Sequence, residues 1–397
     1  VIRSGSLAAC SQARGGGGTA APGIVTALKQ GGGGGAIGAP GVGDPLFPLG
    51  GNGGYDVRHY ALQLGYDPAT TVLDGTALII ASATEDLGRF DLDLRGFTVS
   101  GVRVDGRPAA FTRDGQELQI TPVRALRAGS SFAVTVRYSG TPEVIVDPDG
   151  SIEGWVPTAD GAFVVGEPQG APGWFPANDN PQDKATYDVA VTVPSGLTAV
   201  SNGVLLGQLT RKGRTTFLWH ESSPMATYLA TATLGRFDVA RSRIGSVPSY
   251  VAVDPSQAAD AAPVLAQLPE IVDFFTSTYG RYPFDAVAAI VDDAPDYYYA
   301  NFPADDPLWS PPSGAVADAA DLFSNSVYVR GAMTLQALRG KVGDAPFFRI
   351  LRRWYAEHRD GNVTTADFIA LAQRESGQDL RAFFDAWLYQ QGRPASW

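Results

Sequence analysis

Cysteine occurs once, at Cys10, which excludes an intramolecular disulfide and any thiolate cage for a metal. Histidine occurs three times, at His59, His220 and His358, and no two of these stand at the i, i+4 spacing of a helical zinc motif such as H-E-x-x-H. Lysine is scarce: of the 30 basic residues only Lys29, Lys184, Lys212 and Lys341 are lysines, a bias that reads as GC-rich coding and a bacterial source. No apolar run approaches the ~18 residues of a membrane-spanning helix. Positive charge as a whole is short, since 41 acidic against 30 basic residues leave a net charge of −11. Phosphate backbones would be repelled, so nucleic acid is not an expected partner. Neither a G-x-S-x-G elbow nor a Walker phosphate loop is present.

What is there suffices for a folded protein. The 397 residues are 44% hydrophobic and 18% charged, enough to bury a core and to fill two or three domains. The 47 glycines and 28 prolines exceed average usage, and part of the excess lies in Gly15 to Gly18 and Gly31 to Gly35. Residues 1–45 therefore read as a flexible tether, too poor in apolar side chains to offset the entropy of ordering. Within it Leu7-Ala8-Ala9-Cys10 matches a bacterial lipobox, which makes Cys10 a candidate for lipidation and the protein a candidate for secretion or cell-surface anchoring. Val1 to Ser6 is too short to supply the positive and apolar parts of a signal peptide. The alternative is an incidental cysteine in a disordered tail.

From Tyr55 to about Arg241 short alternating runs are bounded by turn residues, as in Tyr60 to Leu64, Val102 to Gly106, Phe132 to Tyr138, Tyr187 to Val193 and Thr215 to His220. Residues 46–244 are expected to form an all-β antiparallel domain. After Pro248 the chain reads as strand, helix, strand: Tyr250 to Val253, then Leu265, Leu268, Ile271, Val272 and Phe275 at helical spacing with Pro263 and Pro269 as kinks, then the buried run Ala286 to Val291. From about Asp318 four helices are expected, so residues 245–397 form a second part, mostly helical after 318. In the last helix Leu380, Phe383, Phe384, Trp387 and Leu388 make one apolar stripe. Before it, Thr364 with Asp367 reads as a capping box and Gly377 as a helix stop. The fold class is α+β, multidomain.

Several strings, in order and spacing together, resemble the aminopeptidase N family of zinc peptidases in its actinobacterial secreted form. They are Gly53 to Tyr60, Trp174 to Asp179, Asp183 to Tyr187, Ala199 to Gly203, Tyr282 to Ala286, Ser326 to Ala332 and Asp385 to Leu388. The resemblance implies a saddle-like β-domain, then a thermolysin-like catalytic domain that removes N-terminal residues from peptides at a zinc ion. In that family two histidines at i and i+4 and a glutamate on the next helix hold the zinc, and the first motif's own glutamate is the general base. None of these is present here. Asp296-Tyr297-Tyr298-Tyr299-Ala300, after which the family continues into both zinc-motif helices, passes directly to Asn301-Phe302-Pro303-Ala304-Asp305-Asp306-Pro307, a string that lies well downstream in the family. The resemblance thus implies an internal deletion near Ala300 and Asn301 and a truncated catalytic domain.

For this chain as written, no metal or other cofactor is expected. It should be catalytically silent and act by binding peptides with free N-termini or a protein partner. The alternative is an active zinc aminopeptidase whose catalytic segment is omitted from the sequence. A third reading, a β-sandwich adhesin with a helical appendage, predicts no affinity for free N-termini. Loss of core helices is also expected to uncover the stripes of the last helices and favour self-association.

The resemblance assigns three site residues. Tyr328 matches the tyrosine that stabilises the oxyanion, a vestige without the metal; its plainer reading is a tyrosine half-buried on a helix. Glu167 and Gln169 match the positions that receive the peptide's α-amino group, where a buried carboxylate and amide bind an ammonium; their plainer reading is a polar loop. Asp147, Asp149, Ser151 and Glu153 alternate as calcium ligands would, but lack the rest of the twelve-residue loop, so a solvated acidic turn is expected. Tyr297, Tyr298 and Tyr299 read as a strand rather than a stacking site. The histidines read as structural or surface residues.

Overall fold

The computed structural model describes residues 35–147, 152–292, 311–392 and 394. Cys10, Asp149, Ser151, the Tyr297 to Tyr299 run and the junction at Ala300 and Asn301 lie outside the described residues.

Alternation of apolar and polar side chains sets the first part into sheets. In Val72–Ala83, for example, Leu73, Ala77, Ile79, Ala81 and Ala83 are buried, whereas Leu78 on the opposite face is 37% exposed. Eight strands form the central sheet, in the order Val204–Arg211, Arg214–Ala226, Lys184–Pro194, Tyr55–Asp67, Val72–Ala83, Ser131–Gly140, Thr98–Val104 and Arg107–Pro108. Its pairs are antiparallel except one: Lys184–Pro194 runs parallel to Tyr55–Asp67, with Thr186 opposite His59. A four-stranded and a five-stranded sheet complete the β part. One core joins them, in which Trp155, Trp174, Phe175, Tyr60 and Tyr187 form a chain of ring contacts with centroids 6.2, 4.5, 5.4 and 5.2 Å apart. Each fully buried ring of this kind contributes roughly 2–3 kcal/mol of transfer free energy. As expected, the described residues between Tyr55 and Gly235 hold no helix beyond the two short 3-10 turns Ala171–Gly173 and Thr227–Leu229.

The second part begins with a three-stranded sheet, Asp238–Ile244, Val247–Val253 and Val287–Val291, whose last two strands are parallel. Between those two run α1 (Ala258–Leu265) and α2 (Leu268–Tyr279), so the expected strand–helix–strand unit forms. Asp254 starts it by accepting from the Ser256 N–H at 2.7 Å. Pro263 lies inside α1, whereas at Pro269 the helix is split rather than kinked: Pro269 sits in the first turn of α2, where its missing N–H leaves no bond unmade, and the chain breaks before it at Ala266 and Gln267. The expected buried run is also only partly buried. Val287 is covered but Ala288 is exposed, because Val287–Val291 is the edge strand of its sheet among the described residues.

The four expected helices follow: α3 (Asn325–Val342), α4 (Asp344–His358), α5 (Thr365–Ser376) and α6 (Arg381–Phe384), the last passing into a π turn at Asp385–Tyr389. The capping box is made, with the Asp367 N–H donating to Thr364 Oγ1 and the Thr364 N–H to Asp367 Oδ2 at 2.8 Å. Gly377 ends α5 at φ 67°, a left-handed value that favours glycine. Leu338, Ile350, Leu371, Leu380 and Phe384 share one core. The stripe of the last helix is therefore not uncovered: Leu380, Phe384 and Trp387 are all buried. Exposed apolar side chains stand instead on α2, where Ile271, Phe274 and Phe275 are 44%, 55% and 50% exposed.

Arg330 on α3 is fully buried. It donates from Nε to the Trp387 carbonyl at 2.8 Å and from Nη2 to those of Ala386 and Gln390 at 3.2 and 2.6 Å, satisfying carbonyls at the end of the last helix.

Candidate functional site

The strand Ala162–Val165 leads into a turn closed by the Gly170 N–H donating to the Gly166 carbonyl at 3.0 Å. A Cβ on Gly166 would lie 2.2 Å from the Tyr228 carbonyl oxygen, so glycine alone lets this turn approach the Thr227–Leu229 segment so closely. The turn holds Glu167 out to solvent and Gln169 half-buried. Glu167 is thus an exposed carboxylate, not the buried one expected.

Two phenols feel its charge. Tyr228 from the β part and Tyr328 from α3 are both pushed above the ordinary tyrosine range, first by burial and then by Glu167. Tyr328 is 57% exposed, more open than the half-buried position expected, and stacks on Phe323 with centroids 6.3 Å apart. Glu167 thus lies near enough to Tyr328, from a distant part of the chain, for its charge to act on the phenol, with Gln169 two residues along the same turn.

Gln169 is gripped from behind. Its backbone N–H donates to Glu153 Oε2 and its Nε2 to Asp147 Oδ1, each at 2.9 Å. Arg95 Nη2 reaches its Oε1 at 3.5 Å, and Arg95 is itself fixed by Gln116 Oε1, which accepts from Nε and Nη2 at 3.1 and 2.8 Å. Asp147 and Glu153 are 5% and 1% exposed, so these two members of the expected solvated acidic turn are buried instead. Pairing of Val144–Val146 with Ile152–Pro157 folds both carboxyls inward, onto Gln169. Burial, with Asp147 next in weight, pushes Glu153 up to about 9.

More acids lie deeper. Asp93 accepts from the N–H groups of Gly51 and Asp179 at 3.1 and 2.8 Å and from Asn52 Nδ2 at 3.2 Å; burial raises it to about 7. Asp179 accepts from Thr227 Oγ1 at 2.6 Å, and burial raises it to about 8.

Among the described residues none of the three histidines belongs to a set of ligands placed to hold zinc. His59 and His220 meet at Asp188 on the central sheet, with His59 Nε2 3.3 Å from Oδ2 and His220 Nδ1 2.6 Å from Oδ1. His358 ends α4 against Trp354, ring centroids 4.5 Å apart. Among the described residues no group of three or more His, Cys, Asp or Glu side chains is placed to hold a metal ion, calcium included.

Sequence reasoning missed Tyr228 and Arg95, and it missed the structural use of Asp147 and Glu153. Gly166 beside a strand end was the one local signal that a close approach was needed there.

Two family models match the chain: the Peptidase M1 N-terminal domain over residues 57–229 and the Peptidase family M1 domain over residues 306–387. Aminopeptidase N of Streptomyces lividans is 31% identical over 83 residues, 19% of this chain and 10% of that protein. Leukotriene A-4 hydrolase of Xenopus laevis is 23% identical over 201 residues, 46% of this chain and 32% of that protein. The matched stretches therefore span at most about a third of these curated relatives. Among solved structures, an M1 zinc metallopeptidase from Deinococcus radiodurans superposes with a TM-score of 0.80 at 24% identity, covering 89% of this chain and 98% of that one. Aminopeptidase A of Legionella pneumophila gives 0.68 at 16% identity, covering 85% and 50%.

Proposed function

Because the chain belongs to the M1 family of aminopeptidase N-like peptidases, we propose that it binds the free N-terminal ends of peptides without cleaving them. The observation that carries this reading is the exposed Glu167 carboxylate, whose charge acts on the Tyr228 and Tyr328 phenols, on the same turn as a Gln169 amide held from behind. A peptide α-ammonium would donate charge-assisted hydrogen bonds to Glu167 and to Gln169 Oε1. Cleavage asks for more. Tyr328 can donate to an oxyanion, but the sequence offers no H-E-x-x-H, whose histidines hold the metal and whose glutamate generates the attacking water. Secretion, and anchoring through a lipid on Cys10, belong to the same proposal and would put the site among extracellular peptides.

The test is calorimetry with a tripeptide and its N-acetylated form. Binding should need the free amine and should weaken by about tenfold in Glu167→Ala, the scale of one lost charge-assisted hydrogen bond. Equal binding of the acetylated peptide would sink the reading and favour a β-domain adhesin. No release of amino acids from aminoacyl substrates is expected, with or without added zinc.

A second reading has one observation in its favour. The bare Ile271, Phe274 and Phe275 on α2 are a face that helices normally cover, and a catalytic segment absent from this sequence would cover it. Peptide sequencing of the native protein across the junction at Ala300 and Asn301 decides: a direct join supports the silent binder, and an inserted segment carrying H-E-x-x-H supports an active zinc aminopeptidase.

A further inference from the structure

We propose that Glu153 is a positioning residue that keeps its proton at neutral pH and shares it with Asp147, so that the pair locks the Gln169 amide in the orientation that receives an α-ammonium. The role of Gln169 rests on the reading above; the shared proton does not. Of the four carboxyl oxygens in the pair, two are committed to Gln169, Glu153 Oε2 to its N–H and Asp147 Oδ1 to its Nε2. The other two, Glu153 Oε1 and Asp147 Oδ2, are buried and have no hydrogen-bond partner as plain acceptors. The two carboxyls lie within hydrogen-bonding reach of each other. One proton on Glu153 Oε1, donated to Asp147, removes both deficits at once. Without it two anions would stand side by side out of water, a state that proteins avoid by protonating one of them.

The charged groups around the pair point the same way. Asp179 adds a negative charge near Glu153 only once it has lost its own proton, and Arg95, which reaches Gln169, is directed at the amide oxygens of Gln116 and Gln169. Burial followed by Asp147 drives the Glu153 carboxyl to about 9, in agreement with the geometry. The consequence falls on Gln169. With Nε2 fixed on the Asp147 carboxylate, the amide cannot flip, and Oε1 keeps an open lone pair beside its long 3.5 Å contact to Arg95.

Two measurements test this on the full chain. Infrared difference spectra of wild type minus Glu153→Gln near neutral pH should show a protonated-carboxyl band that the variant lacks. Absence of that band overturns the proposal, whatever the protein binds. Tripeptide affinity should then stay within about twofold in Glu153→Gln, whose amide N–H replaces the carboxyl O–H, and fall about tenfold in a folded Glu153→Leu, which leaves Asp147 unpartnered. Equal loss in both variants overturns the proposal, since the charge and not the proton would then matter. Wild type that shows the band yet binds no tripeptide refutes the peptide-binding reading and supports the shared proton on its own.

Discussion

Asp179→Asn should make the protein more stable at alkaline pH while leaving it nearly unchanged in mild acid. Asp179 is 5% exposed, has one oxygen on Thr227 and leaves Oδ2 without a partner. Burial lifts it from an ordinary 3.8 to about 8, with Thr227 opposing, the Asp93 charge adding and Arg95 opposing. A carboxyl raised in the native state holds its proton where the unfolded chain has already lost it. Its contribution is therefore complete below the unfolded value and drains away as pH rises through the folded one. Integrating between about pH 5 and pH 8 gives a loss of about 4 kcal/mol from this one group. Asparagine reproduces the protonated carboxyl, accepts from Thr227 and cannot ionise. Denaturant unfolding of both proteins at the two pH values should show the variant ahead by about 3 kcal/mol at pH 8 and within ~1 kcal/mol at pH 5. Parallel stability curves would refute the reasoning. They would mean that Asp179 is ionised in the native protein and balanced by Arg95.

Two further perturbations follow from single contacts. Arg330→Met removes the buried cation that satisfies the Trp387, Ala386 and Gln390 carbonyls; a loss of about 3 kcal/mol is expected, with hydrogen exchange accelerating first in the last helix. Gly166→Ala forces a Cβ against the Tyr228 carbonyl and should cost about 2 kcal/mol and weaken tripeptide binding, because the turn that carries Glu167 must move. Retained affinity with an unchanged melting temperature would show the turn to be slack.

Much of the fold was legible because its cues are local. Alternation at Val72–Ala83, the Thr364 and Asp367 pair and the stop at Gly377 each need only a few neighbouring residues to take effect. The misreadings are those that depend on what lies across the chain. An acidic, glycine-containing loop looks solvated until the strands on either side pair and turn Asp147 and Glu153 inward onto Gln169. The stripe from Leu380 to Trp387 looked bare because its cover, α3 to α5, is assigned only in three dimensions. His59 and His220 could not be joined without the register of three strands, which sets both rings against Asp188. Glu167 and Tyr328 entered by resemblance, whereas Tyr228, the phenol between them in sequence, carried no mark of its own.

The parallel pairing of Lys184–Pro194 with Tyr55–Asp67 divides the history of the central sheet. Thr186 and His59 are 127 residues apart, so on the ribosome the five strands on one side of this seam are synthesised long before the three on the other. Until then Tyr55–Asp67 is an open edge with a row of unpaired backbone groups, a template for another chain. Chaperone dependence and aggregation during synthesis should therefore concentrate in nascent chains that end between Asp67 and Pro194, and should fall once the second half docks and closes the seam.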